Sequence, residues 1–275
     1  MCLTCGCGDP DNVRVSTLAQ PGHGHAHGHG HGHDHGHGHG ADHTQDPERS
    51  DHPPPDFAVV GAGETLVLEE AVLAHNDRLA AANRSWLDER GIRALNVMSS
   101  PGAGKTSLLE RTIAELSPGR EICVIEGDQE TLLDAERIQR AGARAVQINT
   151  GAGCHLDAPM VRRALDGLQP ADGSLLFIEN VGNLVCPALF DVGEHAKVVV
   201  ISVTEGDDKP IKYPHMFAAA DLVVVNKTDL LPYVDFDLGR LRAQAESLRP
   251  GVEVIALSVR AGQDLDAWYS WLHPG

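Results

Sequence analysis

Residues 57–275 are predicted to form one α/β domain, a mostly parallel sheet of about seven strands covered by helices on both faces. Three observations predict it. Seven short runs rich in Val, Ile and Leu recur along this stretch. Segments whose apolar residues fall at helical spacing separate them. The runs are apolar nearly throughout rather than alternating, the pattern of strands buried on both faces of a parallel sheet.

The first element is a helix over about 64–90, ETLVLEEAVLAHNDRLAAANRSWLDERG, with Gly91 as its stop. The strand runs then follow in order: IRALNVMS (92–99), REICVIEG (120–127), ARAVQIN (143–149), SLLFIEN (174–180), KVVVISVT (197–204), DLVVVN (221–226) and VEVIALS (252–258). With 42% hydrophobic but only 4% aromatic residues, the core they build should be aliphatic. A formal net charge of −17 argues against nucleic acid or anionic lipid as a general partner. No apolar run approaches the roughly 18 residues that would insert in a membrane. The N-terminus lacks the charged-then-apolar pattern of a secretory signal, so the expected location is the cytoplasm.

Residues 1–56 differ in kind and are expected to be a disordered, metal-binding tail. GHGHAHGHGHGHDHGHGHGADH (22–43) carries His23, His25, His27, His29, His31, His33, His35, His37, His39 and His43, and PPPD (53–56) stiffens the approach to the domain. Such a tract buries no apolar surface. Its imidazoles are mostly neutral at pH 7, and the flexible glycines let different sets of them close around a borderline metal, weakly and exchangeably. Upstream, MCLTCGC places Cys2, Cys5 and Cys7 ahead of any foldable segment. They are disulfide partners, metal ligands or chance; in a reducing compartment, closely spaced cysteines more often bind metal.

The first strand of the domain runs into SSPGAGKTS (99–107), a phosphate-binding loop at a strand–helix junction, which makes the expected fold that of a P-loop NTPase. Gly102, Ala103 and Gly104 bring backbone N–H groups to the phosphates, Lys105 neutralises the β and γ oxygens, Thr106 offers its hydroxyl to Mg²⁺, and Ser107 completes the loop. Ser99 stands where the full pattern has glycine. NKTD (226–229) follows DLVVV; Asp229 at that strand end can accept both N1–H and N2–H of guanine, which adenine cannot supply. Asn226 and Lys227 would hold the loop and pack over the base, and LSVRAG (257–262) brings Ser258 and Val259 beside it. These features predict a GTP/GDP site. EGDQET (126–131) and IENVGN (178–183) are expected to sense the γ-phosphate. Asp128 is the expected Mg²⁺-linked acid, with Lys105, of the hydrolytic machinery; Glu179 and Gly182 lie at the second loop. TEGDDKP (204–210) has no comparably clear assignment, a solvated loop being the plain alternative.

Cys123 reads as a small core residue. Cys154 and His155, adjacent in TGAGCH, and Cys186 in VGNLVCP make a ligand set suited to nickel or zinc. Cys186 is continuous with the loop that γ-phosphate would order, so hydrolysis could alter metal affinity there.

Cys2-x-x-Cys5-Gly6-Cys7, the His tract, PGAGKT, Cys154-His155 with Cys186, and NKTD occur in that order, and in this the chain resembles the HypB family of hydrogenase maturation GTPases. The resemblance implies a homodimeric, GTP-dependent nickel metallochaperone. It also implies a small HypA-type partner chaperone and the [NiFe]-hydrogenase large subunit as client. It further implies that Cys2, Cys5 and Cys7, with the terminal amine, form the tight nickel site, and Cys154, His155 and Cys186 a weaker Ni/Zn site. A non-enzymatic nickel store and a urease-type or other metallochaperone are the rival readings.

Overall fold

The computed structural model describes residues 14–17, 62–128, 133–151 and 153–272. The expected tail ligands Cys2, Cys5, Cys7 and the histidines from His23 to His43 lie outside the described residues. All seven predicted strands form, joined by one that was not predicted. In chain order the elements are β1 (Arg14–Thr17), α1 (Ala62–Asp88), β2 (Arg93–Ser99), α2 (Lys105–Leu116), β3 (Ile122–Asp128), α3 (Leu133–Ala141), β4 (Arg144–Asn149), α4 (Ala158–Leu168) and β5 (Leu175–Glu179). They continue with β6 (Ala196–Ser202), α5 (Lys209–Lys212), α6 (Pro214–Ala219), β7 (Leu222–Asn226), α7 (Leu238–Leu248), β8 (Glu253–Ala256) and α8 (Leu265–Leu272).

The sheet order is β1-β4-β3-β5-β2-β6-β7-β8. Every pairing is parallel except β1 on β4, where Arg14 faces Asn149 and Thr17 faces Val146. Residues 14–17, expected within the disordered tail, are instead an edge strand. RVST is rich in β-favouring residues and covers the otherwise open backbone of β4. Four residues are too few for periodicity to reveal, and their partner lies far along the chain.

Strands β3 and β5 to β7 are buried along almost their whole length, which explains their unbroken apolar runs. On one face, Leu108, Ile113, Ile138 and Trp268 close the core under α2, α3 and α8. Trp268 is fully buried and its Nε1–H donates to Thr112 Oγ1 at 2.8 Å, so its polar edge is satisfied inside the core. The other face is covered by α1 and α4 on one side and by α6 and α7 on the other.

Helix α1 is anchored differently. Its buried stripe is Asn76, Ala80, Asn83 and Leu87, two of the four polar. Asn76 accepts from Ala158 N–H at 2.9 Å and donates to Asp191 O at 2.7 Å. Asn83 donates to Ala158 O and Val192 O at 2.9 and 3.1 Å. Gly193, at φ 97°, permits this contact: a Cβ there would lie 2.6 Å from that of Asn83. No described helix is long and apolar enough to cross a membrane.

Candidate functional site

The phosphate loop leaves the carboxyl end of the central strand β2, where ligands of open parallel sheets bind. Gly104 has φ 101°, and a Cβ on it would sit 2.5 Å from Asn226 Nδ2, so only glycine fits between the loop and β7. A cavity of about 440 Å³ opens here, lined by Gly102, Gly104, Lys105, Thr106, Ser107, Asp128, Glu179 and Lys227 among the expected residues. Ala103, within the loop, is fully buried and does not line the cavity. Lys105 Nζ donates to Ser99 Oγ at 2.9 Å, so the serine that replaces the loop's first glycine receives the lysine in this structure.

The residues expected to read guanine come together. Asn226 Nδ2 donates to Ala103 O at 3.0 Å, while its Oδ1 accepts from Lys227 N–H at 2.7 Å and Val259 N–H at 3.2 Å. One side chain therefore ties the phosphate loop, NKTD and LSVRAG into a unit. Lys227, in the left-handed region at φ 63°, reaches Gly102 O with Nζ at 2.8 Å. Ser258 Oγ donates to Asp229 Oδ1 at 2.6 Å, which fixes the carboxylate plane at the base end.

Acidic groups gather at the opposite end. Thr106 Oγ1 donates to Glu179 Oε1 at 2.7 Å. Asp128 closes β3, and its carbonyl accepts from Thr150 N–H at 2.9 Å. Glu126, quoted within EGDQET but not singled out, pairs in register with Glu179 across the parallel strands β3 and β5. The signal was a glutamate ending an apolar strand run. Burial first, and then the neighbouring Glu179 charge, push the Glu126 carboxyl well above the usual range; burial raises Glu179 too, and Lys105 opposes both shifts.

Arg137 was also missed. It lines the cavity and donates to Ser107 Oγ at 3.3 Å, Glu110 Oε2 at 2.6 Å and Asp134 Oδ1 at 2.8 Å. TEGDDKP, which the sequence left without a clear assignment, takes a definite place. Rather than a wholly solvated loop, it begins in a capped 3₁₀ turn, Val203–Glu205. Glu205 accepts from Ser100 of the phosphate loop and pairs with Lys209 at 3.4 Å.

Cys154, His155 and Cys186 meet, with ligand atoms all within 4.8 Å of one another. The two sulfurs are 2.8 Å apart and Cys154 Sγ lies 3.6 Å from His155 Nδ1. His155 is buried and stacks on Phe190 at 3.9 Å between ring centroids. Burial lowers its pKa, so the imidazole is neutral at pH 7 and free to donate a lone pair. Cys123, by contrast, is fully buried in the core, its thiol pushed up to about 12, as expected for a packing residue.

The Cys154–His155–Cys186 set and the cavity share a frame. Asn180, which lines the cavity, accepts from Leu156 N–H at 3.2 Å beside His155. Asn183 donates to Cys154 O at 3.3 Å. A Cβ on Gly182 would press on Pro101 of the phosphate loop at 3.3 Å, and one on Gly127 would meet the Leu156 side chain at 2.9 Å.

A family model described as CobW/HypB/UreG, nucleotide-binding domain, matches residues 93–256. The hydrogenase maturation factor HypB of Rhizobium leguminosarum bv. viciae is 57% identical over 207 residues, which span 75% of this chain and 69% of that one. Among solved structures, HypB from Archaeoglobus fulgidus matches with a TM-score of 0.68 at 43% identity, over 73% of this chain and 98% of that one. HypB from Helicobacter pylori, in complex with nickel, matches with a TM-score of 0.67 at 38% identity, over 72% of this chain and 93% of that one. The family-model match over residues 93–256 and this degree of identity to HypB sequences and structures show that the chain belongs to the HypB hydrogenase maturation factors.

Proposed function

We propose that this protein is a GTP-hydrolysing nickel metallochaperone that stores nickel in its tail and delivers it to the [NiFe]-hydrogenase large subunit in the cytoplasm. The observation that carries the reading is the link from the cavity to the metal cluster through Asn180 and Asn183. The nickel-bound Helicobacter pylori relative supports nickel as the cargo. The reading includes a homodimer and a HypA-type partner, for which family membership is the support.

GTP would lie with guanine against Asp229 and its phosphates over Gly102–Thr106. Lys105 would leave Ser99 for the β and γ oxygens, since a charge-assisted contact outweighs a neutral hydroxyl. A hard divalent cation fits beside Thr106: Glu179 Oε2 is buried without a hydrogen-bond partner, the condition a cation would relieve. Thr106, Glu179 and Asp128 would hold Mg²⁺, which supplies neutralisation of the developing phosphate charge. Asn180 and Gly182 would report the γ-phosphate to Asn183 and Cys186, moving one ligand of the Cys154–His155–Cys186 site. Zinc is the other ion this donor set suits.

The test is Ni²⁺ affinity of the full-length protein with GDP and with a non-hydrolysable GTP analogue, beside Cys186→Ser. The class of sites lost in Cys186→Ser should change affinity between the two nucleotides. Equal affinities would leave the GTPase controlling partner docking alone, and absent GTP hydrolysis would leave a nickel store.

A further inference from the structure

Glu126 and Glu179 stand directly opposite on adjacent parallel strands, 3% and 2% exposed. Were both ionised, like charges in register would destabilise the sheet and burial would compound the effect. Without a cation, the Glu126 carboxyl, held well above its usual range by burial and by Glu179, hydrogen-bonds Glu179 instead. Each carboxylate keeps one oxygen, Glu126 Oε2 and Glu179 Oε2, without a hydrogen-bond partner. Both residues line the cavity that also holds Lys105, Thr106 and Asp128. Lys105 is the positive group that opposes their charge, yet its ammonium is bonded to Ser99 and is claimed by phosphate once nucleotide enters. Packing alone does not account for two such glutamates, since apolar residues would serve the strands better.

We propose that Glu126 and Glu179 together hold a hard divalent cation before any nucleotide arrives, with Glu126 as the added ligand. This rests on the Mg²⁺ reading of Thr106 and Glu179 above and extends it. Two carboxylates and a hydroxyl form an all-oxygen set, the chemistry of Mg²⁺ or Mn²⁺ rather than of nickel. A cation held by two protein carboxylates need not leave with GDP, so the site would stay charged between nucleotides. Lys105 would then be free to follow the phosphates without leaving the glutamates unopposed.

The experiment is a Mn²⁺ titration of the full-length, nucleotide-free protein, followed by the electron paramagnetic resonance of free Mn²⁺, with Mg²⁺ as competitor. Imidazole and thiolate sites of the tail give Mn²⁺ up to zinc, not to Mg²⁺, which separates them from an oxygen site. The wild type should show one Mg²⁺-displaceable equivalent, and Glu126→Gln should weaken it about tenfold or more. Circular dichroism checks that the variant folds; if it does not, Glu126→Asp draws the carboxylate back by one methylene and should weaken the same class. The absence of that class in wild type, or affinity unchanged in a folded variant, overturns the inference. Mg²⁺-dependence of GDP affinity separates the two readings. If Mg²⁺ tightens GDP but no cation binds alone, only this inference fails; if Mg²⁺ leaves GDP affinity unchanged, the Mg²⁺ reading fails with it.

Discussion

Asp229→Asn offers a sharp test of the base site, because the structure decides which way the new amide points. Ser258 Oγ–H donates to Asp229 Oδ1 at 2.6 Å, and Ala261 N–H in turn donates to Ser258 Oγ at 3.1 Å, so the serine hydroxyl is fixed as a donor toward residue 229. An asparagine must therefore turn its oxygen to Ser258 and its NH₂ toward the base. Guanine would then meet a donor where it needs an acceptor. Two charge-assisted hydrogen bonds of about 1.5–3 kcal/mol each are lost, about 3–6 kcal/mol together. That corresponds to about 10²–10⁴ in Kd for GDP. Xanthine carries an oxygen where guanine carries its amine and should gain. Competition of GDP and XDP against a fluorescent nucleotide measures both affinities. Adding Ser258→Ala releases the amide to rotate, so the double variant should recover part of the GDP affinity and lose part of the xanthine gain. Unchanged guanine preference in Asp229→Asn would refute the placement of guanine at Asp229.

Three further outcomes are expected. Lys105→Ala should slow GTP hydrolysis by at least about 10²-fold in a phosphate-release assay, with nickel binding by the tail intact. Replacing Cys2, Cys5 and Cys7 together by Ala should remove the tightest nickel class seen by equilibrium dialysis while the many weak sites remain. His155 should also impose a pH dependence on the metal-free protein. Its folded pKa is lowered by burial, so the unfolded chain binds the proton first as pH falls below about 6.5. Stability contributed by neutral His155 is present above that pH and lost below it. Urea midpoints at pH 7.5 and 5.5 should therefore differ less in His155→Gln than in wild type.

The strands, the phosphate loop, NKTD and the Cys-His-Cys set were legible because each is written in local residue type and spacing. Gly104 is a case: the loop pattern demands glycine there, and the reason, an Asn226 amide 2.5 Å from where a Cβ would be, adds detail without changing the assignment. What escaped has one physical character, pairing across the sheet. Glu126 is unremarkable in EGDQET until β3 and β5 place it opposite Glu179. RVST means little until the edge of β4 receives it. Glu205 carried no assignment because nothing local says that Ser100, far upstream, will bond to it.

The same character underlies the proposed coupling of the nucleotide site to the Cys-His-Cys set. Neither Asn180 nor Asn183 is a ligand in any motif, yet each spends its side chain on a backbone group of the loop that carries Cys154 and His155. Asn180 also donates to Asn96 Oδ1 at 3.2 Å in the middle of β2, and Asn96 donates to Glu194 Oε1 at 3.2 Å. From there the polar chain continues, because Glu194 accepts from Val192 N–H at 2.8 Å and Val192 O accepts from Asn83 of α1. Buried polar groups of this kind stabilise one arrangement strongly and tolerate half-made ones poorly. A phosphate that displaced Asn180 would therefore disturb the metal loop and the seat of α1 together. Asn180→Ala should leave the three metal ligands in place while uncoupling nickel affinity from the bound nucleotide. If nickel affinity still differs between GDP and the GTP analogue in that variant, the signal travels through Gly182 and Pro101 instead.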